Sequence, residues 1–325
     1  YEVRKNYAGA DLVMYLPADS EKNAKQFIAA VEPSLVIFVK YEFWHFYLSE
    51  LKQQSIPVIL IAGIFRPTQP FFKWWGFFHR NMLHCFKHLF VQNETSQHLL
   101  ESIGLAGKTS VCGDTRFDRV VELAGNPKPI QVAEAFRHGR NLLVAGSTWK
   151  EDEELIAGWF SKHKTDWQLI IAPHEIEQKN IERLLHLFPA AVTYSAIQNQ
   201  TNSGQKQAVL IIDNIGMLSY LYAYGTVCYV GGGFNKSGHH NILEAAVYGK
   251  PVFTGPVFEK FSESVELKRL GASFTVHNAT ELEQLIQQTD VEKAGGIAAE
   301  YVFRKSGATK LITGWVQEKR LLTSE

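Results

Sequence analysis

One unbroken pattern limits this chain more than any other. Val227-Cys228-Tyr229-Val230 is followed by Gly231-Gly232-Gly233, a polar loop to Asn241, and then Ile242-Leu243-Glu244-Ala245-Ala246. Four strand-favouring residues in a row read as a buried strand. Three consecutive glycines let the backbone turn tightly and come close to a ligand. Residues 242–248 read as a helix, with Asn241 as N-cap and Gly249 as the residue that ends it. Residues 250–256 (KPVFTGP) then read as the next strand and turn. Strand, glycine loop and helix start together form a phosphate cradle, because the first helical amides are unpaired and the terminus carries roughly +0.5 of an elementary charge. Glu244, on the first turn, is placed to accept two hydrogen bonds from a ribose diol. A glycine triplet after a strand also serves as a tight turn in any α/β domain, so the loop alone does not fix a ligand.

The rest of the chain alternates strand and helix in the same way. Residues 10–15 (ADLVMY), 35–39, 57–62, 88–91, 142–146, 167–172, 209–212 and 271–276 read as strands, with helices between them. That alternation means parallel sheets covered by helices, which bind ligands beyond the carboxyl ends of their strands. At 325 residues there is room for two such domains. Gly125-Asn126-Pro127-Lys128-Pro129 is the natural linker, giving one domain over residues 1–125 and another over 126–325.

Composition excludes several classes. Thirty-three Lys and Arg balance 33 Asp and Glu, so no global field draws the chain to nucleic acid. Cys85, Cys112 and Cys228 are far apart, which argues against a structural zinc site and fits a reducing compartment. The apolar runs are too short to span a bilayer.

The whole run GGGFNKSGHHNILEAAVYGKPVFTGP resembles the donor-binding half of two-domain (GT-B) glycosyltransferases, in particular the bacterial Kdo transferases. These add 3-deoxy-D-manno-octulosonic acid from CMP-Kdo to a lipid A precursor. The resemblance implies two Rossmann-like domains facing a cleft, an inverting transfer without a metal ion or other cofactor, and a last helix that returns to the first domain. It implies donor contacts from Gly231, Gly232, Gly233, Gly238, His240, Asn241, Ile242, Leu243 and Glu244. Ser147 and Thr148 match a G-S-T pattern beside the donor. Pro173-His174 matches part of P-R-H-P-E, without its arginine. Ile215-Gly216-Met217 matches a turn whose backbone contacts cytidine, with Met217 in place of glutamate.

In the first domain, Lys40-Tyr41-Glu42-Phe43-Trp44 lies at a strand end and resembles the family's T-E-L-W-P-type motif, which implies that Glu42 assists the transition state. Gly113-Asp114-Thr115-Arg116-Phe117-Asp118 resembles G-x-x-K-F-D, with Arg116 as the cation for the leaving phosphate or the donor carboxylate. The family's S-x-G-E segment, whose glutamate acts as general base, is not found before Ala10. We therefore expect the first domain to lack its opening segment and membrane anchor, and the chain alone to bind CMP without transferring sugar.

Between Phe65 and Lys87 there is no acidic residue, and six of the eight residues from 71 to 78 are aromatic. Arg66, Lys73, Arg80 and Lys87 recur every seven residues, which puts the last three along one face if the stretch is a single helix. With Trp74 and Trp75 this suits an anionic membrane surface, where rings sit at headgroup level and cations meet phosphates. A core helix with cations on its solvent side gives the same pattern. The resemblance favours the cytoplasmic face of the inner membrane of a Gram-negative bacterium, in lipopolysaccharide biosynthesis. Two alternatives stay open: another enzyme of this fold, such as a nucleotide-sugar epimerase or a lipid A disaccharide synthase, and a catalytically silent nucleotide- or lipid-binding module.

Overall fold

The computed structural model describes residues 5–137, 139–199 and 207–322. Most of the polar loop 199–207 lies outside them. The chain divides into two compact units, Tyr1–Thr115 with Gly307–Glu325, and Arg116–Ser306. Each is built on a parallel sheet.

The first unit's sheet runs β1 (Val36–Val39), β2 (Val58–Gly63), β3 (His88–Val91), β4 (Thr109–Val111), neighbours in chain order. β2 and β3 are apolar along nearly their whole length, as strands covered on both faces must be. Leu48, Leu51, Leu60, Leu83, Phe86 and Leu89 form the core on one side. On the other, Ile312 and Val316 of the final helix, Ala308–Glu318, pack with Ile59 and Phe90. Trp315 of that helix lies 4.7 Å from the His88 ring, and His88 Nε2 is 2.9 Å from Ser110 Oγ.

Two expectations fail here. Residues 10–15 form no strand, and Leu12 and Tyr15 stand 70% and 73% exposed. An apolar run becomes a strand only where an edge takes up its backbone, and no ladder of the described sheets includes these residues. Nor is the stretch from Lys73 to Lys87 one helix. A 3₁₀ turn at Pro70–Phe72 is followed by a break, and the helix covers Phe77–Leu83. Gly76 lets the chain double back: a Cβ there would lie 1.9 Å from the Pro70 carbonyl oxygen. Arg80 closes the break by donating to the carbonyls of Phe71 (3.2 Å) and Lys73 (2.9 Å). Lys73, Arg80 and Lys87 thus share no helix face.

The second unit's sheet has the order β11-β10-β9-β5-β6-β8-β7, all parallel. The strands are β5 (Asn141–Thr148), β6 (Trp167–Pro173), β7 (Ala191–Thr193), β8 (Val209–Ile211), β9 (Val227–Val230), β10 (Val252–Thr254) and β11 (Ser273–Thr275). Val144, Ile170, Cys228 and Val230 face one layer of helices, and Leu143, Ala145, Leu169 and Tyr229 face the other. The chain leaves β5 towards β6 on one side and returns to its other side with β9. The point where the order reverses therefore lies between β5 and β9, the place where open α/β sheets bind ligands.

The units divide between Thr115 and Arg116 rather than at the Gly-Pro linker. Phe117 and Val120, on the helix Thr115–Gly125, are buried in the second unit's core, so that helix goes with the unit it packs on.

Close backbone packing fixes the exits of β9 and β10. A Cβ on Gly233 would meet Gly255 N and Cα at 2.6 Å, and Val257 N donates to Gly233 O at 2.8 Å. Both neighbours are main chain, so neither can swing away. Gly233→Ala should therefore destabilise the protein by about 1–3 kcal/mol, read as a lowered midpoint in denaturant unfolding with an unchanged m-value. His88 supplies a pH test. Burial holds its folded-state pKa below the ordinary 6.5, and nearby Lys319 acts in the same direction. The unfolded chain then takes up the proton first as pH falls. The stability His88 contributes is complete above pH 6.5 and is lost as pH drops from there through the folded pKa. The His88 Cε1 proton should titrate in NMR with a midpoint below 6.5; a midpoint at or above that value contradicts the assignment.

Candidate functional site

The site is built where β5 and β9 end side by side. Gly231 has no room for a side chain, since a Cβ would lie 2.4 Å from Ser147 O and 2.6 Å from Thr148 Cα. Its amide donates to Gly146 O at 2.9 Å, and His240 N returns to Gly231 O at 3.0 Å. The loop between β9 and His240 is thereby closed onto the end of β5. Gly232 (φ 92°) and Gly238 (φ 78°) occupy the left-handed region that favours glycine. Ser147 also has a positive φ, 53°, where the β5–β6 register shifts. Strain of this kind in a non-glycine residue gathers at functional sites.

A residue the sequence reading passed over ties these pieces together. Asp152, fully buried, accepts from Gly232 N (2.8 Å) and Trp149 N (2.9 Å) through Oδ2, and from the Tyr229 hydroxyl (2.8 Å) through Oδ1. Burial raises its pKa, and the three hydrogen bonds oppose that rise. An acidic residue in the first turn of a helix has a sufficient local explanation in the terminal charge, which hides this role from a reading of the sequence alone. Its neighbour Glu153 is also buried, held by Arg183 and by the Thr148 hydroxyl at 3.0 Å.

Three rings stack beside the loop. His174 lies 4.7 Å from Trp149 and 4.4 Å from His240, at interplanar angles of 25° and 26°. The indole N–H of Trp149 donates to His240 Nε2 at 3.4 Å, so the His240 proton sits on Nδ1. His239 is fixed differently. Its Nδ1 donates to His240 O (2.6 Å) and its Nε2 accepts from Ser264 Oγ (2.8 Å), which makes it a neutral pillar. Burial lowers the pKa of both, and the neighbouring histidines lower that of His240 further.

Past the loop, Asn241 Oδ1 accepts from Leu243 N and Asn241 Nδ2 donates to Glu244 Oε1, both at 3.3 Å. Burial raises the Glu244 pKa, opposed by that Asn241 contact. The Tyr248 hydroxyl, buried and without a hydrogen-bond partner among the described residues, is pushed up to about 12 by burial, with Tyr220, Glu244 and Tyr224 adding to it. Arg116 pairs with buried Glu263 at 2.9 Å. Gly216 (φ 101°) turns the chain beside exposed Ile215, and the Met217 sulfur accepts from Asn214 Nδ2 at 2.9 Å.

The structure thus brings Ser147, Thr148, Pro173, His174, Gly231, Gly232, Gly233 and His240 to the strand ends around the β5–β9 junction, and corrects how some of them can act. The helix after Asn241 is a single turn, Leu243–Ala246, because Tyr248 and Gly249 close it with tight backbone bonds. So short a helix cannot carry the terminal charge of a full one. Ile242 and Leu243 are fully buried in the core, and Leu243 N is committed to Asn241 Oδ1, so they place the helical turn rather than present a surface to a ligand. Thr148 is buried with its hydroxyl committed to Glu153. The Gly231 and Gly232 amides are spent on Gly146 and Asp152. Gly238 packs on Phe261.

In the first unit, Glu42 Oε2 accepts from Trp44 Nε1 at 2.6 Å, just beyond β1. Lys40 (φ 61°) faces buried Asp114 at 3.7 Å, and Arg66 lies over the Tyr41 ring at 5.9 Å. Trp74, Trp75, Phe77 and Phe78 are exposed, Trp74 to 91%. Among the described residues no three His, Cys, Asp or Glu gather as metal ligands, and no helix is long and apolar enough to cross a membrane.

Comparison with known proteins agrees with this architecture. Residues 1–119 match the glycosyltransferase N-terminal family described as 3-deoxy-D-manno-octulosonic-acid transferase (kdotransferase). A bifunctional glycosyltransferase/methyltransferase of Fusobacterium nucleatum is 27% identical over 291 residues, 86% of this chain and 44% of that protein. The 3-deoxy-D-manno-octulosonic acid transferase of Aquifex aeolicus is 26% identical over 276 residues, 84% of this chain and 70% of that protein. The chain therefore spans less than half of the first relative and about two thirds of the second. In fold it resembles UDP-GlcNAc 2-epimerase from Neisseria meningitidis, with a TM-score of 0.55 at 18% identity, covering 95% of this chain and 85% of that one. Residues 1–119 thus match the Kdo-transferase N-terminal domain family, the chain is similar in sequence to 3-deoxy-D-manno-octulosonic acid transferases, and its fold is GT-B-like.

Proposed function

We propose that this chain carries the donor- and acceptor-binding units of an inverting glycosyltransferase that moves Kdo from CMP-Kdo to a lipid A precursor in lipopolysaccharide biosynthesis. The observation that carries this reading is the glycine loop closed onto β5 at the sheet's reversal point, with His174 and His240 stacked beside it. With the Gly231 and Gly232 amides committed, the Gly233 amide, the Ser147 hydroxyl and the His240 imidazole meet the single phosphate. Glu244 takes the ribose diol, and the Ile215–Met217 turn offers main-chain groups to the base. The nucleotide itself activates such a donor, so the reading needs no metal ion. Arg116 supplies a cation for the departing phosphate, pre-oriented by Glu263, and Glu42 a carboxylate on the acceptor side. Pro173 and Gly238 shape the loop and strand exits, and Ser147, partly exposed at the end of β5, offers its hydroxyl to the donor.

CMP should bind in calorimetry and UDP should not; retention of UDP in place of CMP would favour the epimerase-like alternative. Measured in a protein that carries the family's S-x-G-E segment ahead of this chain, Arg116→Ala should lower Kdo transfer to a lipid A precursor by about 10²- to 10³-fold, and Glu42→Ala should lower it comparably. Unchanged transfer in both variants would remove these roles.

The lipid acceptor would be met on the cytoplasmic face of the inner membrane. Supporting this are the exposed rings of Trp74, Trp75, Phe77 and Phe78, flanked by Arg66, Lys73 and Lys87. Arg80 is a structural clamp here rather than a lipid contact. Co-sedimentation with phosphatidylglycerol vesicles should fall as salt rises, and Trp74→Ala with Trp75→Ala should weaken it about tenfold or more, since each ring buries a large apolar area. Binding indifferent to both salt and the two tryptophans would refute membrane docking by this segment.

A further inference from the structure

We infer that Asp152 is the positioning residue of the glycine loop, holding Gly232 so that the Gly233 amide is the one presented to the donor phosphate. The inference rests on the proposed donor reading of this loop. Asp152 lies on the first turn of the helix Lys150–His163, directly after β5, while Gly232 follows β9. Its two oxygens join three groups from both sides of the sheet's reversal point: Trp149 N and Gly232 N on Oδ2, the Tyr229 hydroxyl on Oδ1.

An ionised carboxylate accepts only, and all three partners donate, so the contacts are matched in sense. Gly232, at φ 92°, is the hinge of the loop. A free glycine there would sample many conformations, and the loop would lose that entropy each time a ligand bound. With its amide fixed, the next peptide is oriented in advance, and Gly233 is also held by Gly255 and by Val257 N. Trp149, whose indole holds His240, hangs from the same carboxylate oxygen through its own amide. One buried group thus sets both the loop backbone and the ring stack, without standing where it would touch the anion.

Two variants separate positioning from mere stability. Asp152→Asn keeps the volume, but its amide group must turn a donor towards some of the donors around it. Tyr229→Phe removes a hydrogen bond of similar length from the same carboxylate while leaving both backbone contacts. Both should lower the unfolding midpoint. Only Asp152→Asn should weaken CMP binding in calorimetry, by about tenfold or more, while Tyr229→Phe stays within about twofold of the parent. CMP binding within twofold of the parent in Asp152→Asn would overturn this inference alone. Absence of CMP binding by the parent protein would overturn the proposed function and this inference with it. Amide exchange on the parent protein reads the same contact if Asp152→Asn does not fold. The Gly232 amide should exchange slowly before CMP is added and be unchanged by it, whereas the Gly233 amide should slow on binding. A Gly232 amide that CMP itself protects would show that the phosphate, not Asp152, is its partner.

Discussion

Everything in the second unit depends on two parallel strands ending at the same level with almost nothing between them. β5 and β9 are neighbours in the sheet but far apart in the chain. Their exits meet at Gly146 and Gly231, and a methyl group on either would strike its surroundings: Tyr222 Oη at 2.1 Å in one case, Ser147 O at 2.4 Å in the other. Two hydrogen bonds, Gly231 N to Gly146 O and His240 N to Gly231 O, then fold the loop back across the junction. Opposite directions of travel on the two sides of β5 leave a gap between the covering helices, and this closed loop lies at it.

Much of this was legible in the sequence, for reasons that differ from element to element. The parallel strands announced themselves because burial on both faces demands unbroken apolar runs, and β3, β5, β6 and β9 have them. The glycine loop was legible because nothing but glycine tolerates its conformations and contacts. What failed were inferences that a local pattern cannot settle. Residues 10–15 look like a strand, yet strand identity is a property of a pair. Seven-residue spacing suggested one helix face across Lys73 to Lys87, yet Pro70 and Gly76 break the chain before any face can form. Phe117 and Val120 drew their helix into the second unit, past any signal from the prolines of the linker.

The site was less legible than the fold, and Asp152 shows why. A carboxylate in the first turn of a helix already has a sufficient local explanation in the terminal charge and the free amides. Its long-range partners, Gly232 and Tyr229, lie about eighty residues away and are invisible to any window. Trp149 is hidden in the same way, since only the fold sets its indole against two histidines. The phosphate cradle, conversely, was read too simply. Counting glycines counts amides, but two of those three amides serve the protein itself.

The acidic groups of this unit differ in how fully the protein itself answers them. Asp152 is answered by two amides and a phenol, Glu153 by Arg183 and Thr148, and Glu263 by Arg116. Among the described residues Glu244 has only the Asn241 amide at 3.3 Å, in surroundings where burial raises its pKa and the Tyr248 hydroxyl finds no partner. A half-buried carboxylate with few donors loses part of its hydration, and a ligand that supplies donors restores what it has lost. A diol brings two O–H donors, the complement of what Glu244 lacks, and brings no charge of its own to that spot. On the same proposal the anion is left to the Gly233 amide and the imidazole stack, where the nearby carboxylate of Asp152 is already committed. On the proposed reading, ribose on one side and phosphate on the other satisfies both ends at once, an arrangement supported by the distribution of hydrogen bonds as well as by the glycines.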